Sequence, residues 1–345
     1  MVRLTRAEQQ ERNRDAVLAA ARDEFAERGY ADAKVDRIAE RAELTRGAVY
    51  SNFPSKRALY LAVLLEALSP AAAVPADAPA LHDAVAAFAR VWLERLPLTG
   101  DQSAGKHLRL RSLSGVFDDE RGRAALTQVM RLESVLLGLA FESCVPRGGR
   151  RVRLAELVLT TLTGATHLAE KAPGLGDPFD VVRACRHLAS LDLGDTWDPP
   201  HLPFVSPAQA VHEDWTPPGA LSDLVTGETV DFAGDGLLVV LGVHRLGAVE
   251  EAVRAGERVT VAVVTGDHEE LGRLVRLRAR DLAGCVRAGS WPRMVLDTHG
   301  TVAAAVGARE ADDTEAAVRV EAGAVVARAS GHGAGHAVGA SRSRR

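Results

Sequence analysis

The sequence predicts two unlike parts: an all-α segment over residues 1–195 and an α/β domain over residues 221–330. Apolar residues in the first part recur at helical spacing, with little strand character. The second part instead holds short apolar runs, LLVVL at 237–241 and VTVAVV at 259–264, separated by helical patterns, and such alternation is typical of α/β layers. Between the two parts, residues 196–220 hold six prolines and two tryptophans, which predicts a stiff, extended linker.

Composition limits the classes of protein that fit. The 345 residues are 47% hydrophobic, so more than one core is possible, but no run approaches the roughly 20 apolar residues of a membrane span. The polar start MVRLTRAEQQERNRD lacks the apolar region of a signal peptide, so we expect a cytoplasmic protein without a membrane partner. Cys144, Cys185 and Cys285 are odd in number and far apart, which argues against a disulfide framework or a Cys-x-x-Cys site. A net charge of -4 means that any nucleic-acid affinity must come from a local patch.

Residues 1–65 carry the pattern of four short helices. Thr5 and Glu8 fit a capping box, and the first apolar stripe runs until Gly29, which predicts a helix stop there. A second stripe is only two or three turns long and leads into a tight connection at Glu43 and Leu44. The inward positions of these two helices are Val17, Leu18, Ala21 and Phe25, then Val35, Ile38, Ala39 and Ala42.

The stretch LTRGAVYSNFPSKRAL at 44–59 predicts the third and fourth helices. Thr45 caps the third, Val49 and Phe53 point inward, and Pro54 ends it. Ser55 then caps the fourth helix. The outward positions of the third helix are small or polar and have no core to contact: Arg46, Gly47, Tyr50, Ser51 and Asn52.

Two short helices joined by a tight turn, the second with a small polar face, fit the helix-turn-helix that enters a DNA major groove. Gly47 and Ala48 would let the backbone approach base edges, and Arg46 carries a fork suited to guanine. Lys56 lies at a helix N-terminus, where amides already favour a phosphate. Residues 1–65 carry 12 Lys and Arg against 10 Asp and Glu, so the basic excess is small and must be concentrated on one face. Taken singly, each polar residue here fits an ordinary surface position equally well.

The run GYADAKVDRIAERAELTRGAVYSNFPSKRALYLAVL, residues 29–64, resembles the DNA-binding domain of the TetR/AcrR transcriptional regulators. The resemblance implies a homodimer on a palindromic double-stranded operator, released when a small-molecule effector enters a second, helical domain. One departure is that Ala33 and Lys34 stand where the family carries Thr or Ser, so Asp32 is expected to cap the second helix and Lys34 to contact phosphate. The expected DNA-binding residues are Lys34, Thr45, Arg46, Gly47, Ala48, Tyr50, Ser51, Asn52 and Lys56.

Residues 66–195 predict a helical bundle for ligand binding and dimerisation. Helices are expected at Leu81–Leu96, Lys106–Phe117, Arg121–Cys144, Arg153–Lys171 and Pro178–Leu191. The family resemblance implies that the last two pair with their copies in a dimer and that the earlier ones surround a pocket. The pocket residues stay unassigned, because an aromatic stripe at helical spacing more often belongs to plain core. His107 and His167 have no histidine or carboxylate at metal-ligand spacing. The residues weighed for a pocket are Phe88, Trp92, His107, Ser114, Phe117, Met130 and Thr163.

The α/β part resembles the thioredoxin-like redoxins through LSDLVTGETVDFAGDGLLVVLG, VVTGDHEEL, MVLDTHG and VEAGAVVARASG. A redoxin needs a low-pKa thiolate after its first central strand, but the segment 242–247, GVHRLG, contains no cysteine. A proline is also missing near Thr314, where such folds place one in the cis form. We therefore expect a redox-inactive scaffold, with a hairpin from Val318 to Ala327 around Ala322 and Gly323 and a disordered Gly-rich tail at 331–345.

Two classes of function follow. The first is a ligand-responsive DNA-binding regulator, most often a repressor in the family that it resembles, with no cofactor, no metal and no catalytic residue. The second is a redoxin-type thiol enzyme or redox sensor that carries a DNA-binding head. The α/β part could bind a ligand, steady a dimer, take a protein partner or serve as a structural appendage.

Overall fold

The N-terminal region, here called the head, consists of four helices. A computed structural model of the chain describes residues 5–68, 74–75, 80–94, 112–145, 149–172, 174–199, 205, 207–256, 258–287 and 291–341. Gly29 has a φ of 71° near the end of the first helix, as expected of the helix stop predicted there. The helices are α1 (Arg6–Asp32), α2 (Val35–Arg41), α3 (Arg46–Asn52) and α4 (Lys56–Glu66).

The core of the head is aromatic. Phe25, Phe53 and Tyr60 are fully buried, and the rings of Phe25 and Tyr60 meet edge to face with centroids 4.8 Å apart. The Tyr60 hydroxyl donates to the carbonyl oxygen of Ser112 at 2.6 Å, just before the long helix of the next region. The head and the bundle therefore share a buried contact as well as the chain between them.

Four helices form the described part of the bundle, and their ends lie within three residues of the predicted ones. They are α5 (Leu81–Leu93), α6 (Glu120–Ser143), α7 (Val152–Lys171) and α8 (Pro178–Leu188). The helix expected at Lys106–Phe117 is not found in its described portion, because residues 112–117 form turns around Gly115, whose φ is 75°. Residues 106–111 lie outside the described residues.

Helix α6 is the centre of the bundle. Its length and apolar composition would suffice to cross a membrane, but 67% of its most apolar window is buried inside the protein. A buried core helix passes the same composition test, and α6 packs against both the bundle and the α/β domain. Its apolar character is therefore explained by internal packing.

The α/β domain contains a six-stranded mixed sheet with the order β2-β10-β9-β5-β6-β8. Strands β5, β6 and β8 are parallel, whereas β9, β10 and β2 pair antiparallel in succession. The strands are β1 (Val74–Pro75), β2 (Gln209–Asp214), β3 (Leu221–Ser222), β4 (Thr229–Val230), β5 (Gly236–Gly242), β6 (Val259–Val264), β7 (Val286–Arg287), β8 (Arg293–Leu296), β9 (Glu315–Glu321) and β10 (Ala324–Ser330). Two short pairs, β1 with β7 and β3 with β4, lie outside the main sheet.

Three helices lie between strands of this sheet, and a fourth follows its last strand. They are α9 (Val249–Ala255), α10 (Arg273–Ala283) and α11 (Thr301–Val306), then α12 (Ala334–Ala340). A π-helical turn, His268–Gly272, leads into α10. The predicted hairpin is present, and its two turn residues, Ala322 and Gly323, both have positive φ angles, 49° and 76°. This is the geometry that a two-residue hairpin turn requires.

The predicted linker at 196–220 is wrong in part, because it contains strand β2. This strand lies at the edge of the sheet, where Glu213 pairs with Val325 in β10. Most of its side chains are exposed, so the apolar alternation that marks a half-buried strand is missing. Trp215 follows directly, and its indole nitrogen donates to the carbonyl oxygen of Phe232 at 2.7 Å.

The disordered tail expected at 331–345 is also wrong over its described portion. Helix α12 packs against α9, with Val338 fully buried. A Cβ added to Gly339 would lie 2.5 Å from the Cβ of Ala255, so glycine is needed for the close approach of the two helices. Glu315 secures the start of the helix, because its carboxylate accepts from the amide of Gly333 at 2.6 Å. The glycine-rich composition thus reflects tight packing.

Glu251 on α9 makes stability depend on pH. Burial, with Glu315 nearby, raises its pKa from 4.5 to about 7, and its Oε2 is buried without a hydrogen-bond partner among the described residues. Below pH 4.5, the unfolded-state pKa, the carboxyl is protonated in both states and does not lower the free energy of unfolding. As pH rises toward 7, the unfolded state ionises more readily than the folded state, and the folded protein becomes less stable. We therefore expect Glu251→Gln to raise the melting temperature at about pH 8 but not below pH 4.5. An equal gain at both pH values in thermal melts would contradict this.

Candidate nucleic-acid interface

The turn between α2 and α3 fixes the angle at which α3 leaves the head. Glu43 adopts a left-handed conformation with a φ of 54°, and the Leu44 amide donates to the carbonyl oxygen of Ala39 at 2.9 Å. Val49 and Phe53, 1% and 0% exposed, hold the underside of α3 to the head. Helix α3 is therefore a short rigid element with one free face.

The start of α2 differs from the expectation. Lys34 is its N-cap residue and makes no side-chain capping bond among the described residues. The Lys34 amide donates instead to Glu24 on α1, at 3.3 Å, and Glu24 is fully buried. The prediction that Asp32 caps α2 is therefore wrong, since a buried carboxylate from another helix takes that place. The Lys34 side chain is exposed.

The start of α3 agrees with the sequence pattern. The Thr45 hydroxyl accepts from the Ala48 amide at 3.2 Å. A Cβ added to Gly47 would meet only the Thr45 hydroxyl oxygen, at 3.8 Å, so the surface there is open. The hydroxyl of Ser51 and the amide nitrogen of Asn52 both donate to the carbonyl oxygen of Ala48, at 2.9 and 2.8 Å. These two side chains thus bond to their own helix in the absence of a nucleic acid.

Arg46 and Tyr50 form an exposed pair on the free face. The guanidinium lies 5.5 Å from the centroid of the Tyr50 ring and 3.3 Å from the carboxylate of Asp36. The side chains of Arg46 and Asp36 are 60% and 62% exposed, and ion pairs so exposed contribute little to stability. Arg46 can therefore exchange Asp36 for a phosphate or a guanine edge at small cost.

Lys56 has a structural contact that the sequence did not indicate. Its ammonium donates to the carbonyl oxygen of Ala31 at 3.1 Å and lies 4.7 Å from the centroid of the Tyr30 ring. Burial lowers the pKa of Lys56. The side chain thus ties α4 to the end of α1, and a phosphate contact from Lys56 stays a prediction.

Of the described residues weighed for an effector pocket, Phe88 and Trp92 lie together, with ring centroids 5.9 Å apart, and the others lie elsewhere or on the surface. Phe88 and Trp92 lie in the core of the bundle, where the Trp92 nitrogen donates to the hydroxyl of Thr166 at 3.2 Å. Phe117 lies at the boundary with the head, where the centroid of its ring is 5.4 Å from the guanidinium carbon of Arg57. The side chains of Ser114, Met130 and Thr163 are exposed, and His107 lies outside the described residues.

Comparison with known proteins gives the head a family. Residues 17–63 match the model described as bacterial regulatory proteins, tetR family. The head is of the TetR type. The match covers α2, the turn and α3, so the TetR-type head is a DNA-binding helix-turn-helix of the kind found in transcriptional regulators. It covers none of the bundle or the α/β domain, and no curated protein matches the chain.

Solved structures resemble about half of the chain. NalD, the secondary repressor of the MexAB-OprM multidrug efflux pump in Pseudomonas aeruginosa, is 20% identical, with a TM-score of 0.36, over 52% of this chain and 95% of its own. A TetR transcriptional regulator from Rhodococcus sp. RHA1 is 16% identical, with a TM-score of 0.30, over 53% of this chain and 95% of its own. FadR of Bacillus subtilis, solved with stearoyl-CoA, is 16% identical, with a TM-score of 0.24, over 51% of this chain and 96% of its own. At these identities and TM-scores, no function is transferred from them.

Proposed function

We propose that the protein is a dimeric, ligand-responsive transcriptional regulator that binds a palindromic duplex and acts as a repressor. The free face of α3 carries this proposal. Arg46, Gly47 and Tyr50 are exposed there, above an underside held by the buried side chains of Val49 and Phe53. A short helix with one face packed on the head and the opposite face exposed fits the major groove of DNA.

Dimerisation is supported by an exposed apolar corner between α7 and α8. Leu168, Leu175 and Phe179 are 48%, 65% and 73% exposed. Large apolar side chains left this exposed are typical of a surface that takes part in protein association. A second copy related by a two-fold axis would cover this corner and place two α3 helices on one face, as a palindromic operator requires.

Phe179→Asp is expected to shift the protein toward the monomer, because the carboxylate would have to be buried in the dimer. The monomer binds one half-site only, so affinity for the full duplex should fall at least about ten-fold. Analytical ultracentrifugation and fluorescence anisotropy would measure the two effects. Phe179→Leu, which keeps an apolar side chain, serves as the matched control and should change neither. A dimer that is unaltered in Phe179→Asp would place the interface elsewhere.

The effector response is supported by contacts between the head and the bundle. Arg57 on α4 donates to the carbonyl oxygen of Val116 at 3.2 Å and pairs with Asp119 at the start of α6. A shift of α6 would therefore move α4. An effector would release DNA only by binding the non-binding arrangement of the dimer more tightly.

The α/β domain is proposed to be a redox-inactive, thioredoxin-like scaffold. Its parallel β5, β6 and β8, followed by an antiparallel hairpin, agree with the resemblance of its sequence to the redoxins. Cys285 of this domain is fully buried. Cys185 of α8 is fully buried too, and burial raises its pKa to about 11, opposite to what a reactive thiol needs. Turnover of a peroxide or a disulfide by the purified chain would favour the alternative, a thiol enzyme.

The direct test of the proposed function is selection of bound duplexes from fragmented genomic DNA of the source organism with the full-length chain. We expect enrichment of a palindromic site whose affinity falls steeply as salt rises, because phosphate contacts release counterions. Failure to enrich any duplex at low salt would reject the proposal. Genes that flank the enriched site would indicate the class of effector.

A further inference from the structure

Arg57 lies where the head, the bundle and the α/β domain meet. Its Nε donates to the carboxylate of Glu270 at 2.5 Å, while its Nη1 pairs with Asp119 of α6. Glu270 belongs to the π-helical turn of the α/β domain and also accepts a hydrogen bond from the hydroxyl of Ser55. The side chains of Arg57 and Glu270 are only 22% and 13% exposed. Two carboxylates from different domains thus share one arginine of the DNA-binding head.

A second residue of the same turn region extends this contact. Arg273, at the start of α10, donates to the carbonyl oxygen of Ala58 at 2.9 Å. Its guanidinium also lies 5.7 Å from the centroid of Phe53, the residue that fixes the underside of α3. Glu269 pairs with Arg273 at 2.5 Å and holds its side chain in place. The α/β domain therefore contacts both helices that would bear on DNA.

The rest of the α/β domain is fastened to the bundle. Arg254 of α9 pairs with Glu142 of α6 at 2.6 Å, and Arg278 of α10 pairs with Glu133 of α6 at 2.8 Å. Near the turn, Arg121 at the start of α6 pairs with Asp312 at 2.7 Å. Because of these ion pairs, the α/β domain moves with the bundle. A displacement of the bundle would therefore shift Glu270 relative to the head.

Ser55 lies at the N-terminus of α4, where its contact with Glu270 bears on DNA binding. Its hydroxyl caps α4 by accepting from the Ala58 amide at 2.9 Å, so Glu270 places a carboxylate beside the N-terminus of α4. Free amides and the helix dipole make such a terminus favourable for a phosphate, and a carboxylate beside it would repel the phosphate. Glu270 and Asp119 also neutralise the charge of Arg57, which otherwise adds to the positive potential of the head.

We propose that Glu270 and Arg273 form an autoinhibitory latch, by which the α/β domain holds the head through Ser55, Arg57 and Ala58 and weakens its binding to DNA. The latch rests on the proposed DNA-binding function. It gives the α/β domain a regulatory task that needs neither a thiol nor a ligand of its own. Opening of the latch releases the N-terminus of α4 and the charge of Arg57 to the operator.

The test compares wild type with Glu270→Gln, which keeps the size of the side chain but removes its charge and replaces one of its two acceptor oxygens by a donor. The probe is a duplex enriched from a randomised pool by the full-length protein. We expect Glu270→Gln to bind it at least about five-fold more tightly than wild type. The slope of log affinity against log salt should also steepen by about one, because Arg57 becomes available to a phosphate.

The matched control is Glu228→Gln, the same charge change at an exposed position of the α/β domain, and its affinity should equal that of wild type. Arg273→Met, which keeps an apolar stem over Phe53 but loses the bond to Ala58, should also bind DNA more tightly. Hydrogen exchange supplies an independent measurement. Addition of the duplex to wild type should speed amide exchange in residues 268–273 as the latch opens.

The possible outcomes distinguish failure of the latch from failure of the proposed DNA-binding function. If neither wild type nor Glu270→Gln enriches any duplex, the proposed function fails and the latch with it. If both enrich one but Glu270→Gln binds equally or more weakly, the latch alone is overturned. Unchanged or slower exchange at 268–273 on DNA binding would likewise overturn the latch, because the contact would then persist in the bound state.

Discussion

Gly47→Glu is expected to abolish operator binding while leaving the fold intact. The open space around Gly47 accepts a side chain, and glutamate favours a helix over glycine by about 0.5 kcal/mol, so α3 should form at least as well. The new carboxylate, however, would face the phosphates and base edges of the groove. Repulsion of several kcal/mol corresponds to a loss of about 100-fold or more in affinity.

Fluorescence anisotropy with the selected duplex measures this loss, and thermal melting checks the fold. Gly219→Glu is the matched control, because a Cβ added to Gly219 likewise meets open space, with no atom within 4 Å, but this glycine lies outside the head. We expect this control to bind DNA as wild type does. Binding by Gly47→Glu within a few-fold of wild type would show that α3 does not enter the groove.

Breaking the buried ion pair between α6 and α10 is expected to cause the largest loss of stability. Glu133 and Arg278 are 2.8 Å apart, with side chains 3% and 16% exposed. Burial raises the pKa of Glu133, while the positive charge of Arg278 opposes that rise. Glu133→Leu would leave a buried guanidinium without its partner, at a cost of about 3–5 kcal/mol in the free energy of unfolding.

Urea denaturation of Glu133→Leu, Arg278→Met and the double variant would test the pair. We expect each single variant to lose more stability than the double variant, because two apolar side chains leave no unpaired charge in the interface. Losses that simply add would mean that the two charges do not interact. The same experiment reports on the attachment of the α/β domain to the bundle, since the two residues belong to different domains.

Elements with a strong apolar period could be predicted from the sequence. Helices α6, α7 and α8 and strands β5 and β6 lie where the spacing of apolar residues placed them. The turn at Ala322 and Gly323 followed from backbone chemistry alone. The prediction failed for elements without such a period. Strand β2 is held by backbone hydrogen bonds at a sheet edge, and α12 is held by close contacts of its glycines.

The free face of α3 was also predictable, since small or polar residues occupy the outward positions of this helix. The capping of α2 by Glu24 and the contact of Arg57 with Glu270 were not. The first joins two helices through residues ten positions apart, and the second joins two domains through residues 213 positions apart. Only the packing of the domains brings such charges together, because no local pattern distinguishes them from ordinary surface residues.

The position of α6 has a consequence for how the chain is made. Trp291 donates its indole hydrogen to the carbonyl oxygen of Leu136 at 2.6 Å, so one side of α6 is covered by residues that leave the ribosome much later. At about 5–20 residues per second, translation takes roughly ten to thirty seconds to pass from α6 to Trp291. During that interval an apolar helix surface is exposed on the nascent polypeptide, and we expect its yield in the cell to depend on chaperones that shield it until the last third of the message has been read.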